Sequence, residues 1–329
     1  MSNIIQHREE FVLVYDVSDN NPNGNPMDEN KPRIDEETGY NLVTDVRVKR
    51  TVRDYLFEYE GHNGENGKNI FIRPIEDDNG FILDVKQRVQ QFPNQEDEAV
   101  KKYLSKEKIT KAEARQVAKV YEQSILNQCI DTRMFGAVYS MEFPKTKITP
   151  TPNNEYKVGM TLTGPVQLRM GRSLHRTPIA TAQHSFTMAS GEGKQMGSLA
   201  SEHFLHYSLI RIYGVVNEHA AKHTKLTEED LELFYKALWE GTKSLHSRSK
   251  LGHSPRALVR VRYKTPNFFI GDLDKRIKFT SDLADEKIRD IQDGKLDLSG
   301  LKAVFDKEKE HIESINLKTD DRVIISGWE

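Results

Sequence analysis

A single cysteine in 329 residues rules out any disulfide within the chain, and such sparse usage fits a reducing compartment. Cys129 lies among Ile125, Leu126 and Ile130 without an evident electropositive partner, the setting of a core thiol rather than a nucleophile. Long apolar runs are missing too. No stretch reaches the length of a membrane span, and the opening MSNIIQHREE holds no secretory apolar segment. A cytoplasmic protein with no membrane partner is expected. Catalytic signatures are equally scarce: there is no Walker A loop, no nucleophile elbow and no Cys-x-x-Cys pair. The pairs His203/His206 and His219/His223 have metal-compatible spacing but lack a nearby Cys or convincing carboxylate, so they read as surface or satisfied histidines. No cofactor and no catalytic or metal-binding residue is expected.

Acidic residues are absent from two long stretches. Between Tyr156 and Gly191 there are Lys157, Arg169, Arg172, His175, Arg176 and His184 but no Asp or Glu, and the same holds from Lys243 to Gly271. The acids gather in Asp28 to Glu37, Glu76 to Glu98 and Asp282 to Glu313. The net charge of −2 argues against indiscriminate coating of nucleic acid. The segregation suggests instead a basic groove on an acidic body, or complementary faces on neighbouring subunits.

The chain centres on Asp35 to Arg53, DEETGYNLVTDVRVKRTVR. With Thr44 as N-cap, Val48, Val52, Tyr55, Leu56 and Tyr59 fall in a stripe roughly 100° wide, the pattern of a helix docked on a sheet. Arg47, Lys49, Arg50 and Arg53 occupy the rest of the circumference. Such a helix, entered through a loop carrying Asn23, Gly24 and Asp35, can offer backbone N–H groups and cations to phosphates; a solvated surface helix is the alternative. Asp16, Asp19, Asp28 and Asp35 surround this loop and read as loop-forming acids, although they could bind a divalent ion.

Phe11 to Val17 has strand composition, and the Asn-Pro and Asn-Gly steps that follow it make a loop. Residues 70 to 125 read as an insertion with a charged helical segment from about Asp97. Met160 to Leu168 alternates as one half-buried strand. The stretch from Gly171 to Ser198 lacks a core pattern and reads as a projecting hairpin carrying Leu174, Ile179, Phe186, Met188 and Met196. Phe204 to Val216 is a strand, Thr227 opens a helix with a capping signature, and Ala257 to Lys264 is a strand with one apolar face and one bearing Arg260, Arg262 and Lys264. In order the core reads strand, helix, strand, strand, helix, strand, an α+β split βαβ or ferredoxin-like (RRM-like) arrangement. The tail adds charged helical segments at Asp282 to Asp293 and Ser299 to Ser314, then a strand-like RVIISGW.

NNPNGNP at Asn21 to Pro26, the run from Lys31 to Leu56, DTRMFGA at Asp131 to Ala137 and TGPVQLRMGRSL at Thr163 to Leu174 together resemble the Cas-seven backbone subunits of the type I CRISPR surveillance complex Cascade. The Csh branch of type I-B is closer than the Csd branch of type I-C. The resemblance implies a ferredoxin-like palm (1–60, 127–170 and 204–265), an inserted finger region (61–126), a thumb-like β-hairpin (171–203) and a C-terminal extension with helices and a final strand (266–329). It implies a non-enzymatic subunit whose copies polymerise along a CRISPR guide RNA, with target DNA met through the guide and other Cascade subunits as partners. It places Asn23, Gly24, Thr44, Arg47, Lys49, Arg50 and Arg53 on guide phosphates, Arg169, Arg172, His175 and Arg176 near the RNA at the thumb base, and Ile179, Phe186, Met188 and Met196 on the thumb. Type III relatives cleave RNA with an aspartate and a divalent metal, and Asp35 sits where that aspartate would lie. A cleaving subunit is therefore the runner-up, and a stand-alone RNA-binding module is a third reading.

Overall fold

The computed structural model of the chain describes residues 3–92, 96–145, 155–185 and 199–329. The first half contains β1 (Glu9–Asn20), β2 (Gly24–Asn25), β3 (Lys31–Pro32), β4 (Tyr40–Val43), α1 (Asp45–Tyr59), α2 (Val85–Gln90), α3 (Glu98–Ser105), α4 (Lys111–Gln128), α5 (Ile130–Phe135) and β5 (Gly136–Pro144). The second contains β6 (Glu155–Thr163), β7 (Val166–Leu168), β8 (Gly171–Arg176), β9 (Ile179–Ser185), β10 (Leu199–Val216), α6 (Glu218–Thr224), α7 (Glu228–Lys243) and β11 (His253–Tyr263). After short 3₁₀ turns come β12 (Lys278–Thr280), β13 (Lys295–Asp297), α8 (Ser299–Lys307), β14 (Ile312–Thr319) and β15 (Ile325–Ser326). Contacts divide the chain into two compact units, one of residues 1–6, 52–167 and 217–235, the other of residues 7–51, 168–216 and 236–329. Among the described residues no helix is long and apolar enough to cross a membrane.

The second unit is built on a mixed α+β plan around an antiparallel sheet in the order β14-β11-β1-β10-β8-β4. β1 is its central strand, with Val12 opposite Tyr213 on one side and Val259 on the other. Strands on both flanks explain why nearly all of β1 is buried. Its Val12 and Val14, with Tyr207, Leu209, Val259 and Val261, pack against Leu273, Ile277, Leu301 and Phe305 of the tail. The C-terminal residues thus complete the core. Asp282 to Asp293 forms 3₁₀ turns rather than the expected helix, and α8 stops at Lys307. Beyond it β14 pairs with β11, Leu317 opposite Val259, and its opening residues Ile312 to Ser314 are strand where the end of the expected helix would lie.

The first unit holds the insertion. α3 and α4 pack with the β5–β6 hairpin around Phe71, Phe92, Val117, Ile125, Tyr139 and Phe143. Gly136 opens β5 at φ 74°, and a Cβ there would stand 2.0 Å from Leu162 O, so the turn from α5 into the hairpin requires glycine. The alternation across Met160 to Leu168 is real, but it belongs to two strands. Pairing with β5 ends at Thr163. Beyond Gly164-Pro165 the chain enters the main sheet, where Arg169 N–H donates to Tyr213 O at 2.9 Å. Two strands from the stretch read as hairpin pair with β10: β9 lies along its first half, Ile179 opposite Leu205, and β8 lies beside its second half, Arg172 opposite Arg211.

Candidate nucleic-acid interface

The loop from Asn20 to Val43 is tied to the opening of α1 by two side chains. Thr44 donates both its N–H and its hydroxyl to Asn23 Oδ1, at 2.8 and 2.9 Å, while Thr44 Oγ1 accepts from Arg47 N at 3.3 Å. Thr44 is therefore the N-cap, and Asn23 locks it. Asn23 O also accepts from Arg33 N at 3.2 Å. Gly24 is demanded by the close return of the loop, since a Cβ there would sit 2.0 Å from Asn30 Oδ1. These two residues shape the loop, with Asn23 engaged through both its side-chain and its backbone oxygen.

The cations of α1 separate by role. Arg50 is exposed. Lys49 Nζ lies 2.8 Å from Asp45, one turn back. Arg47 donates from Nη2 to Thr51 Oγ1 at 3.1 Å and lines a small cavity with Tyr15, Pro22, Thr242 and His253. Arg53 departs from the expected RNA-facing row: its Nε donates to the fully buried Asp131 at 2.8 Å and its guanidinium lies 5.1 Å from the Phe135 ring centre. Val48, Val52 and Leu56 are buried as expected, but Tyr59 is 54% exposed and stacks on Tyr55 instead of docking.

At the base of the expected thumb, Arg169 pairs with Asp272 at 2.9 Å and Asp274 at 3.3 Å and covers the Tyr213 ring at 4.9 Å. Arg172 Nη1 pairs with Asp35 at 2.8 Å, and this hydrogen bond holds the Asp35 carboxyl below the usual carboxylate range. His175 is the clearest correction. It is buried, stacked on Tyr207 with 9° between the planes, and its Nε2 accepts from Leu209 N at 3.3 Å while Nδ1 meets Arg176 O at 3.0 Å. Those partners fix a neutral Nδ1–H imidazole, and burial lowers its pKa further. It is a core residue of β8, not an RNA contact. Arg176 is exposed, its N–H donating to Asp285 Oδ2 at 2.9 Å. Ile179 is 38% exposed on β9; Phe186, Met188 and Met196 lie outside the described residues.

The acid-free stretches do not remain free of acids in space. Arg256 is buried between Asp16, at 2.8 Å, and Asp320, and Arg248 meets Glu202 at 2.8 Å. The cationic face expected on β11 is countered by Glu9 of β1, 2.7 Å from Arg262 and 3.5 Å from Arg260. Asp16 is thus an ion-pair partner, its carboxyl raised by burial, and Asp28 pairs with Lys31 at 2.9 Å. Among the described residues no three acidic, histidine or cysteine side chains converge as a metal site requires.

Sequence reasoning passed over Lys250. Its Nζ donates to Asn21 O and is mostly buried, and burial together with nearby Arg47 lowers its pKa to about 8. The neighbouring His253 has neither ring nitrogen hydrogen-bonded among the described residues, and burial lowers its pKa to about 3. The acid-free run from Lys243 flagged this region, but nothing local in it says which cation turns inward.

Residues 7–299 match the family model of CRISPR-associated protein Cas7. A protein of that name from Haloferax volcanii is 29% identical over 334 aligned positions, covering 96% of this chain and 88% of the relative. Two solved structures share the fold. A chain of a "CRISPR RNA-guided surveillance complex, pre-nicking" has a TM-score of 0.53 at 12% identity, covering 97% of this chain and 94% of that one. A chain of a "CRISPR RNA-guided surveillance complex" scores 0.50 at 11% identity, with coverages of 96% and 90%. With a family match across most of its length, the chain belongs to the CRISPR-associated protein Cas7 family.

Proposed function

We propose that this chain is a non-catalytic backbone subunit of a type I Cascade complex, several copies of which bind along one CRISPR guide RNA and present it to target DNA. The observation that carries the reading is the opening of α1, where the Asn23–Thr44 lock fixes a helix N-terminus bearing Arg47, Lys49 and Arg50. Backbone N–H groups and cations in that setting hold phosphates without reading bases, and the guide supplies sequence by pairing. The surveillance complexes that share the fold are RNA-guided, which supports the same partner here.

The sheet order favours the ferredoxin-like palm once β8 is taken as its second strand. β11 lies beside β1, β1 beside β10 and β10 beside β8, with α1 following β1 and α7 following β10. In this reading residues 61–126 are the fingers and the β9–β10 hairpin begins the thumb, with Ile179 at its base. The Csh-like motifs favour type I-B. Asp35, engaged by Arg172, suits a loop-fixing acid better than a metal-bound nuclease residue.

Lys49→Ala with Arg50→Ala tests the assignment. Loss of two phosphate contacts should make log K against log salt shallower by about 1.4 for single-stranded RNA, with the thermal melt unchanged. Light scattering should give multimers that lengthen with the RNA, and the RNA should stay intact with Mg²⁺. An unaltered slope removes α1 from the interface, and a chain that binds no RNA overturns the proposal.

A further inference from the structure

The second unit carries an open cleft of about 440 Å³ that is separate from the opening of α1. Its walls come from β4, β8, β10 and the segment entering β12. Three cations reach it from three elements, Arg172, Arg211 and Lys278, and two aromatic rings line it, Tyr40 and Phe279.

Arg211 is the fixed member of this set. Its Nη1 donates to Asp274 O at 2.7 Å and to Ile277 O at 3.0 Å, so the guanidinium also anchors the chain segment that forms the opposite wall. Its Nε is buried and has no hydrogen-bond partner among the described residues. Asp35 engages Arg172, while burial and then the nearby Arg172 disfavour the charge on Arg211 and Asp274 favours it. Lys278 is exposed and Phe279 half-buried, its ring 6.4 Å from that of His175. Phe279 thus links the cleft lining to the buried His175–Tyr207 stack behind it.

A simple anion site has no need of two aromatic rings, and an apolar ligand site has no need of three cations. A nucleotide uses both: its phosphate answers the cations, and its base has a flat face for a ring. The cleft is also within the size range of small-ligand sites. Resting on the guide-RNA reading above, we propose that this cleft seats one unpaired nucleotide of single-stranded RNA, its base against Tyr40 and Phe279 and its phosphate among Arg172, Arg211 and Lys278. Local sequence could not reveal it, because Tyr40, Arg211 and Phe279 are far apart in the chain.

The test compares a short oligouridine with the same ribose-phosphate backbone lacking bases, each labelled for fluorescence anisotropy. Wild-type protein should bind the oligouridine more tightly by on the order of tenfold or more, the contribution of base stacking. Tyr40→Leu and Phe279→Leu, which keep apolar bulk, should collapse that preference while leaving affinity for the abasic strand unchanged. Lys278→Ala, at an exposed position, should weaken both strands alike and make the salt dependence shallower by about 0.7. A base preference that survives in both leucine variants, or equal binding of the two strands by wild type, overturns the nucleotide seat while leaving the backbone reading intact. Failure of wild type to bind either strand sinks the backbone reading itself. Should Phe279→Leu misfold, Tyr40→Leu and Lys278→Ala decide alone.

Discussion

Replacing Asp131 tests whether Arg53 of α1 holds the fold or belongs to the proposed phosphate row. Its carboxylate is fully buried. Oδ1 accepts from Phe71 N at 2.7 Å, and Oδ2 accepts from Arg53 Nε at 2.8 Å and Ile72 N at 3.1 Å. Asp131→Ala leaves two backbone N–H groups and a guanidinium with an 11% exposed side chain without their acceptor. An abandoned buried donor costs about 1–3 kcal/mol, and breaking a buried ion pair from one side costs about 3–5 kcal/mol. These overlap, so the expected loss is about 3–5 kcal/mol. Arg53→Ala should be milder, roughly 1–3 kcal/mol, because the carboxylate keeps both N–H donors. Urea midpoints at constant m measure the loss, and amide exchange at Phe71 and Ile72 localises it. A cost below about 1 kcal/mol for Asp131→Ala would refute the anchoring role. So would an Arg53→Ala variant of intact stability whose RNA salt dependence is shallower by about 0.7, since Arg53 would then belong to the phosphate row after all.

Three further outcomes follow from buried groups in the sheet unit. Lys250, with a pKa of about 8 when folded, binds fewer protons folded than unfolded between there and its unfolded value near 10.4. Stability should therefore rise with pH across that window by roughly 2–3 kcal/mol, and Lys250→Met should flatten the rise in pH-dependent urea titrations. His253, at about 3 when folded, makes the protein lose stability as pH falls from about 6.5 toward 3; His253→Phe should lessen that loss, and an unchanged acid limb would show the ring to be solvated. Glu10 accepts from the Tyr213 and Tyr263 hydroxyls, from Ile270 N at 2.8 Å and from Gly271 N at 2.9 Å. Glu10→Gln turns one acceptor into a donor facing donors, so it should cost about 2–4 kcal/mol and speed amide exchange at Ile270 and Gly271; native protection there would contradict the anchoring role.

Local pattern carried much of the fold. The α1 stripe located Val48, Val52 and Leu56 inside, and the capping signature at Thr227 located the start of α7, where Thr227 Oγ1 accepts from Asp230 N at 3.1 Å. Thr44 was legible as a cap because capping needs only residues within one turn. The failures occur where a pattern ran across a break or ended at a pairing that the local sequence does not encode. Met160 to Leu168 kept its alternation through Gly164-Pro165 and so concealed a change of sheet. The tail's charges read as helix because β14 is an edge strand, wet on most of its length and fixed by β11 alone.

Charge was the least legible property. Periodicities, caps and the two long stretches without an acid could be read directly from the chain, because these depend on neighbours a few residues away. That Arg53 faces Asp131, that Arg172 faces Asp35, that Glu9 counters the cations of β11, and that His175 is core came from the folding of distant segments together. Those partners lie tens to hundreds of residues apart, and strand register, which shifts every side chain between faces with a single-residue slip, selects which of them meet.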